Sequence, residues 1–197
     1  SDGFYLSDMS DFIIEGNKVN VPDYGIYISD GNEGGTATTN SSIVNNMVIS
    51  SGDNAGYLVD VENTNIFHNT FFGESGFYMD NHVAVDIRNN IFASNSTYAF
   101  QSGDALLAAD TWNYNLYYVG GTQNTFRVNN VTYADLAAVQ TALPTYNVNS
   151  VEGDPIFYSA SDLHVLGTLA NGVGDNTVGI ANDIDGEARP YAGTTTV

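Results

Sequence analysis

One six-residue frame recurs five times in this sequence, each time with asparagine in its fourth place. The segments start at Ile14, Ile43, Ile66, Ile87 and Trp112, and each reads large apolar, two variable, Asn, one variable, apolar. The asparagines are Asn17, Asn46, Asn69, Asn90 and Asn115, at intervals of 29, 23, 21 and 25 residues. A period in the low twenties is what one turn of a three-sided β-solenoid requires. Asparagine suits the corner of such a coil. It tolerates left-handed backbone, and its amide can donate and accept between stacked rungs. The frame predicts an all-β chain, a right-handed parallel β-helix with these five amides piled along one corner.

A second column runs in phase with the first. It contains Gly3–Asp8, Gly25–Asp30, Gly56–Asp60, Gly76–Asp80 and Ala99–Asp104. Side chains alternate faces along a strand. The inward set is expected to be Phe4, Ile26, Tyr57, Phe77 and Phe100, then Leu6, Ile28, Val59, Met79 and Ser102. The outward column is then Tyr5, Tyr27, Leu58, Tyr78 and Gln101. Residues 31–42 read as a loop pushed out of one rung. After residue 121 the repeat fades. Residues 122–197 read as an irregular, capping part of the same domain with one short helix at 132–142. Thr132 is its expected N-cap, and Pro144 follows its end.

Composition agrees with strands and turns. There are 13 Tyr, 10 Phe and 20 Gly against 4 Pro, in a chain that is 43% hydrophobic. Charge narrows the partners. Four basic residues face 23 acidic ones, a net charge of -19. Such a surface repels phosphate backbones and anionic lipid heads, so nucleic acid and membrane insertion are not expected. Neutral glycans, cations and other proteins remain. The absence of Cys excludes disulfides and thiolate metal sites. Residues 1–20 carry no signal peptide, and strand-like sequence begins at Gly3. An upstream domain or a second copy is therefore expected against the first rung.

The last third carries further motifs. After Asn115-Leu116-Tyr117-Tyr118 and the short helix come Ser150 to Phe157 with Asp154-Pro155, Asp162-Leu163-His164, and Asp183-Ile184-Asp185-Gly186 with Arg189-Pro190. This order resembles the C-terminal half of bacterial secreted right-handed parallel β-helix proteins, which are similar in fold to pectate lyases. The resemblance spans nearly the whole chain. It implies an extracellular or cell-surface setting and a role as module of a larger protein. It does not imply one activity, because that fold hosts lyases, hydrolases, adhesins and spacers.

Candidate chemistry is sparse. Tyr5, Tyr27 and Tyr78, with Asp60 and Asp80 beside them, could offer rings and acceptors to a neutral glycan or polysaccharide. Equally, they could be cross-strand pairs that only stabilise the sheet. Asp60 and Asp80 are the candidate catalytic carboxylates of a polysaccharide hydrolase. The lyases that the chain resembles use a basic residue and calcium. Here Lys18 and Arg88 stand without a second basic residue near them in the repeat frame. Asp183 and Asp185 resemble the start of a calcium loop but also a plain capping turn. His68, His82 and His164 read as structural, and Trp112 as core. The sequence thus points to a non-catalytic carbohydrate-associated or adhesive module. An enzyme fragment and a structural spacer are the rivals.

Overall fold

The computed structural model describes residues 1–29 and 38–189. Asp30, most of the expected loop and Pro190 lie outside the described residues. The chain winds through three parallel sheets, which makes it a three-sided parallel β-helix. The first sheet stacks Phe4–Ser7, Ile26–Ser29, Asn54–Glu62, Ser75–Val83, Phe100–Ser102 and Phe126–Val128. The second stacks Ile13–Glu15, Ser42–Val44, Asn65–Phe67, Asp86–Arg88 and Thr111–Asn113. The third runs Lys18–Val21, Met47–Ser50, Thr70–Gly73, Ile91–Ser94, Leu116–Val119 and Val151–Glu152.

The expected frame sets the register. Ile14, Ile43, Ile66, Ile87 and Trp112 lie one above another, as do Val19, Val48, Phe71, Phe92 and Tyr117. Most of these side chains are fully buried, and each is worth about 1.5–3 kcal/mol relative to exposure. Phe71 and Phe92 stack with ring centroids 5.8 Å apart, and Phe92 and Tyr117 with 5.7 Å.

The asparagines form a continuous ladder with a direction. Asn46 Oδ1 accepts from the backbone N–H and the Nδ2 of Asn17, both at 3.0 Å. Asn69, Asn90 and Asn115 repeat the pattern, each accepting from the rung before. The Nδ2 groups also satisfy carbonyls of Ile14, Ile43, Ile66 and Ile87. One detail differs from expectation. The left-handed backbone belongs to the residue before each ladder asparagine, namely Gly16, Asn45, His68, Asn89 and Tyr114. That residue makes the corner, so the following amide turns inward along the axis.

The first sheet departs from the expected register on one rung. Gly56, not Tyr57, lies opposite Ile26 and Phe77. A Cβ at Gly56 would sit 2.5 Å from the Phe77 ring and 3.1 Å from the Phe71 ring. There is room for no side chain there. The strand is displaced by one residue, which exchanges the faces of its side chains. Leu58 is therefore inward and fully buried opposite Ile28 and Met79, and Tyr57 is outward.

The coil runs further than expected on the first sheet, to Phe126–Val128. Val131–Tyr133 then folds back antiparallel on that strand. Thr132 is in this hairpin and does not cap the helix, which is Leu136–Ala142. Asp135 caps it by accepting from the N–H of Ala138 at 2.8 Å. The ladder ends here too: Asn115 N–H donates to Ser150 Oγ at 3.0 Å.

The remaining chain lies as a tail over the outer face of the third sheet. Phe157–Ser159 and Asp162–Val165 pair antiparallel. Ile91, Leu116 and Ala170 are buried between tail and sheet, with Tyr118, Val151, Phe157 and Val165 packed around them. The third sheet is thereby covered on its outer side. Among the described residues, no tail segment covers the outer side of the first sheet.

Candidate functional site

The open face of the first sheet carries Tyr5, Tyr27, Tyr57 and Tyr78 in register, followed by Gln101 and Arg127. Parallel pairing at the strand spacing forces the rings into a stack. Consecutive centroids are 4.9 Å apart, at interplanar angles of 6°, 6° and 17°. Tyr24 packs edge-on against Tyr27 and Tyr57. The ring faces are thus spent on one another. What the row offers to solvent is its edges and hydroxyls, plus the outer face of the terminal ring, Tyr5, which is 60% exposed.

The hydroxyls of Tyr24, Tyr57 and Tyr78 are held in their protonated form by burial. Burial, with a hydrogen bond to Asp80, pushes the Tyr78 hydroxyl up to about 12. Burial and Asp53 push Tyr24 to about 12 as well. Tyr24, Tyr57 and Tyr78 are therefore neutral hydroxyls and not phenolate bases. Beside it lies a shallow polar cleft of about 340 Å³, lined by Asp53, Asn54, Glu74, Ser75, Thr97 and Gln101. Tyr24, Tyr57 and Arg127 were not singled out in the sequence. Tyr-x-Ser and Tyr-x-Asp repeat along the sequence, but the frame places Tyr57 inward, and the register turns it outward.

Asp60 and Asp80 do not share a cross-strand position. Asp80 lies opposite Val59, a consequence of the same one-residue displacement. Both carboxylates serve the turn at Asn81, whose backbone φ is 44°. Asp60 Oδ1 accepts from Asn81 Nδ2. Asp80 Oδ1 and Asp104 Oδ2 accept from the Asn81 N–H at 3.0 and 2.9 Å. Asp80 Oδ2 accepts from the Tyr78 hydroxyl at 3.0 Å. These carboxylates hold a strained corner, a structural task.

Lys18 and Arg88 are committed to the tail. Lys18 Nζ is 3.1 Å from Asp185 Oδ1. Arg88 lies between Asp86 and Asp175, at 2.5 and 2.7 Å. Asp183 Oδ1 accepts from the N–H groups of Asp185 and Glu187 at 3.0 and 2.8 Å, which is a capping turn. His164 sits between Asp162 and Asp185, and the hydrogen bond to Asp162, then that to Asp185, raises its pKa. No group of three His, Cys, Asp or Glu poised for a metal exists among the described residues. His82 is buried with Nε2 3.2 Å from Asp110 Oδ2, and Trp112 is 1% exposed in the core.

Comparisons with family profiles, with characterised proteins and with solved structures find no match to this chain. No helix among the described residues is long and apolar enough to cross a membrane.

Proposed function

We propose that this chain is a non-catalytic, carbohydrate-associated module of an extracellular or cell-surface protein, and that it meets neutral glycan on the open face of its first sheet. The observation that carries the reading is the row of four stacked tyrosines beside a polar cleft. The row is held by a sheet whose opposite side is core, so its hydroxyls are positioned before any ligand arrives. Glycan hydroxyls find donors in Tyr5, Tyr27, Tyr57 and Gln101, acceptors in Asp53 and Glu74, and one open aromatic face at Tyr5. The net charge of -19 favours neutral over acidic polysaccharide. The likeness to secreted bacterial β-helix proteins supports the extracellular setting.

A glycan array and affinity electrophoresis in neutral polysaccharide gels test this, with Tyr27→Ala and Tyr57→Ala as variants. Retention that both substitutions weaken is the expected result. Retention of no glycan, or retention that both variants leave unchanged, overturns the reading.

A second reading, a structural coil that stacks on another coil, is favoured by the asymmetry of the two ends. The hairpin, the helix and Ser150 close the C-terminal end. At the other end Phe4–Ser7, Ile13–Glu15 and Lys18–Val21 are all edge strands, and Ile13 is 70% exposed. Asn17 Nδ2 donates to Glu15 and Asn46. Its Oδ1 accepts nothing among the described residues, so the ladder offers an acceptor there. A further coil whose corner asparagine donates would complete it. Hydrogen exchange decides this reading. Fast exchange of the 4–21 edge amides that slows when one more ladder coil is fused ahead of Gly3 supports it. Exchange that the fusion leaves unchanged removes it.

A further inference from the structure

Between the tail and the ladder corner lies a half-open cavity of about 220 Å³. Met47, Thr70 and Ile91 line it from the third sheet. Leu163, Ala170 and Ile184 line it from the tail. His68 and Arg189 line it as well, and both carry hydrogen-bond donors without a partner among the described residues.

The protonation of His68 follows from its neighbours. Asn89 Oδ1 accepts from the N–H of Asp175 at 2.7 Å, which sets the orientation of the amide. Asn89 Nδ2 then donates to Asp175 O at 2.7 Å and faces His68 Nε2 at 3.0 Å. Nε2 is the acceptor, so the ring proton is on Nδ1. Burial, reinforced by Arg189, lowers the imidazole to about 3, and the ring is neutral. His68 Nδ1 is buried and has no hydrogen-bond partner among the described residues.

Arg189 is engaged on one side only. Nη1 donates to Asn45 Oδ1 at 2.6 Å and to Asn182 O at 2.8 Å. Nε is buried without a partner, and Nη2 has none among the described residues. The Nε–Nη2 edge presents two parallel N–H groups, the fork that receives a carboxylate with two hydrogen bonds. No carboxylate of the described chain takes it, although the chain has 23 acidic residues. Asp183 and Asp185 line the cavity too, and the charge of Asp183 acts on Arg189, but neither is hydrogen-bonded to it. Asp185 is held by Lys18 and His164, and Asp183 Oδ1 by its own turn. A buried donor without an acceptor is costly, and the two residues that carry these line one cavity, which points to a missing acceptor.

We propose that this cavity binds a small carboxylate-bearing molecule, with its carboxylate on the Nε–Nη2 edge of Arg189, His68 close by, and its apolar part against Ile91, Leu163 and Ala170. The cavity is below the ~300–1,000 Å³ of sites for drug-sized ligands, which suits a compact molecule. The inference does not rest on the tyrosine face, which belongs to a different sheet. Occupancy would also tie the tail to the coil, because both walls contribute to the site.

The test uses four probes at millimolar concentration: benzoate and glucuronate, with benzyl alcohol and glucose as neutral counterparts. Binding is read by the ring ¹H–¹⁵N signals of His68 and by thermal unfolding. The expected result is a shift of the His68 signals and a raised Tm with at least one carboxylate, and neither change with its neutral counterpart. Arg189→Lys keeps the charge but removes the fork, and it should weaken binding about tenfold or more. Far-UV circular dichroism and the exchange of ladder amides check that this variant folds. Silence with both carboxylates, equal shifts with the neutral probes, or unchanged affinity in a folded Arg189→Lys would each overturn the proposal. The first two outcomes leave water as the occupant.

Discussion

Removing a middle rung of the asparagine ladder should destabilise the protein far more than removing its first rung. Asn69 Oδ1 is the acceptor for Asn46 N–H at 3.0 Å and for Asn46 Nδ2 at 2.9 Å. Its own Nδ2 donates to Ile43 O at 2.8 Å and to Asn90 Oδ1 at 3.0 Å. In Asn69→Ala, Asn46 Nδ2 keeps Ile14 O and Val44 O, and Asn90 Oδ1 keeps the backbone N–H of residue 69. Asn46 N–H is left without an acceptor in a dry interior, and the Ile43 carbonyl, paired in the parallel ladder, loses its second bond. At about 1–3 kcal/mol for the orphaned donor and less for the carbonyl, the loss is about 3 kcal/mol, a large share of the ~5–15 kcal/mol that holds a typical domain. Asn17→Ala is the control. It removes only the bonds of Asn17 Nδ2 to Glu15 O and Asn46 Oδ1, at a partly exposed end where water can replace it. That loss should stay at about 1 kcal/mol or less. Urea unfolding followed by far-UV circular dichroism and by Trp112 fluorescence measures both variants. Equal losses at the two positions, or a loss below about 1 kcal/mol at Asn69, would refute the claim that the ladder satisfies otherwise orphaned groups.

Three further outcomes follow from the same geometry. Gly56→Ala drives a methyl group into the Phe77 and Phe71 rings and should cost about 1–3 kcal/mol in urea unfolding. Tyr57→Ala removes two stacked contacts, to Tyr27 and Tyr78, and should lower stability by about 1–3 kcal/mol without changing the fold. His68 gives a pH signature. Its folded pKa of about 3 lies below the ordinary 6.5, so the unfolded chain takes up a proton that the folded chain refuses. His68 therefore adds no pH dependence above about 6.5, and below it stability falls by about 1.4 kcal/mol per pH unit until near pH 3. The difference between the wild-type protein and His68→Asn, measured by urea unfolding from pH 7.5 to 4, should show this slope. A flat difference would contradict the neutral buried imidazole.

The candidate face was only half legible in the sequence. Tyr5, Tyr27 and Tyr78 stand two residues before Ser7, Ser29 and Asp80, so alternation along a strand assigns them outward. Tyr57 escaped because Gly56-Tyr57-Leu58-Val59 reads plausibly in either of two registers. Both choices place aromatic or aliphatic residues inward. Only the volume between Phe71 and Phe77 excludes a side chain at position 56 and turns Tyr57 out. The pairing of Asp60 with Asp80 failed for the same reason, since it was counted on the wrong register.

The spacing of Asn17, Asn46, Asn69, Asn90 and Asn115 was enough to specify a coil, and with it the stacked columns from Ile14 to Trp112 and from Val19 to Tyr117. A coil must return the same residue type to the same corner on each turn, so its period is written along the chain as a local pattern. The tail follows no such rule. Its course depends on Lys18 meeting Asp185 across 167 positions and on Arg88 meeting Asp175 across 87. Contacts between segments without a shared period leave no trace in either segment alone. The cavity at Arg189 exists only because those two surfaces come together.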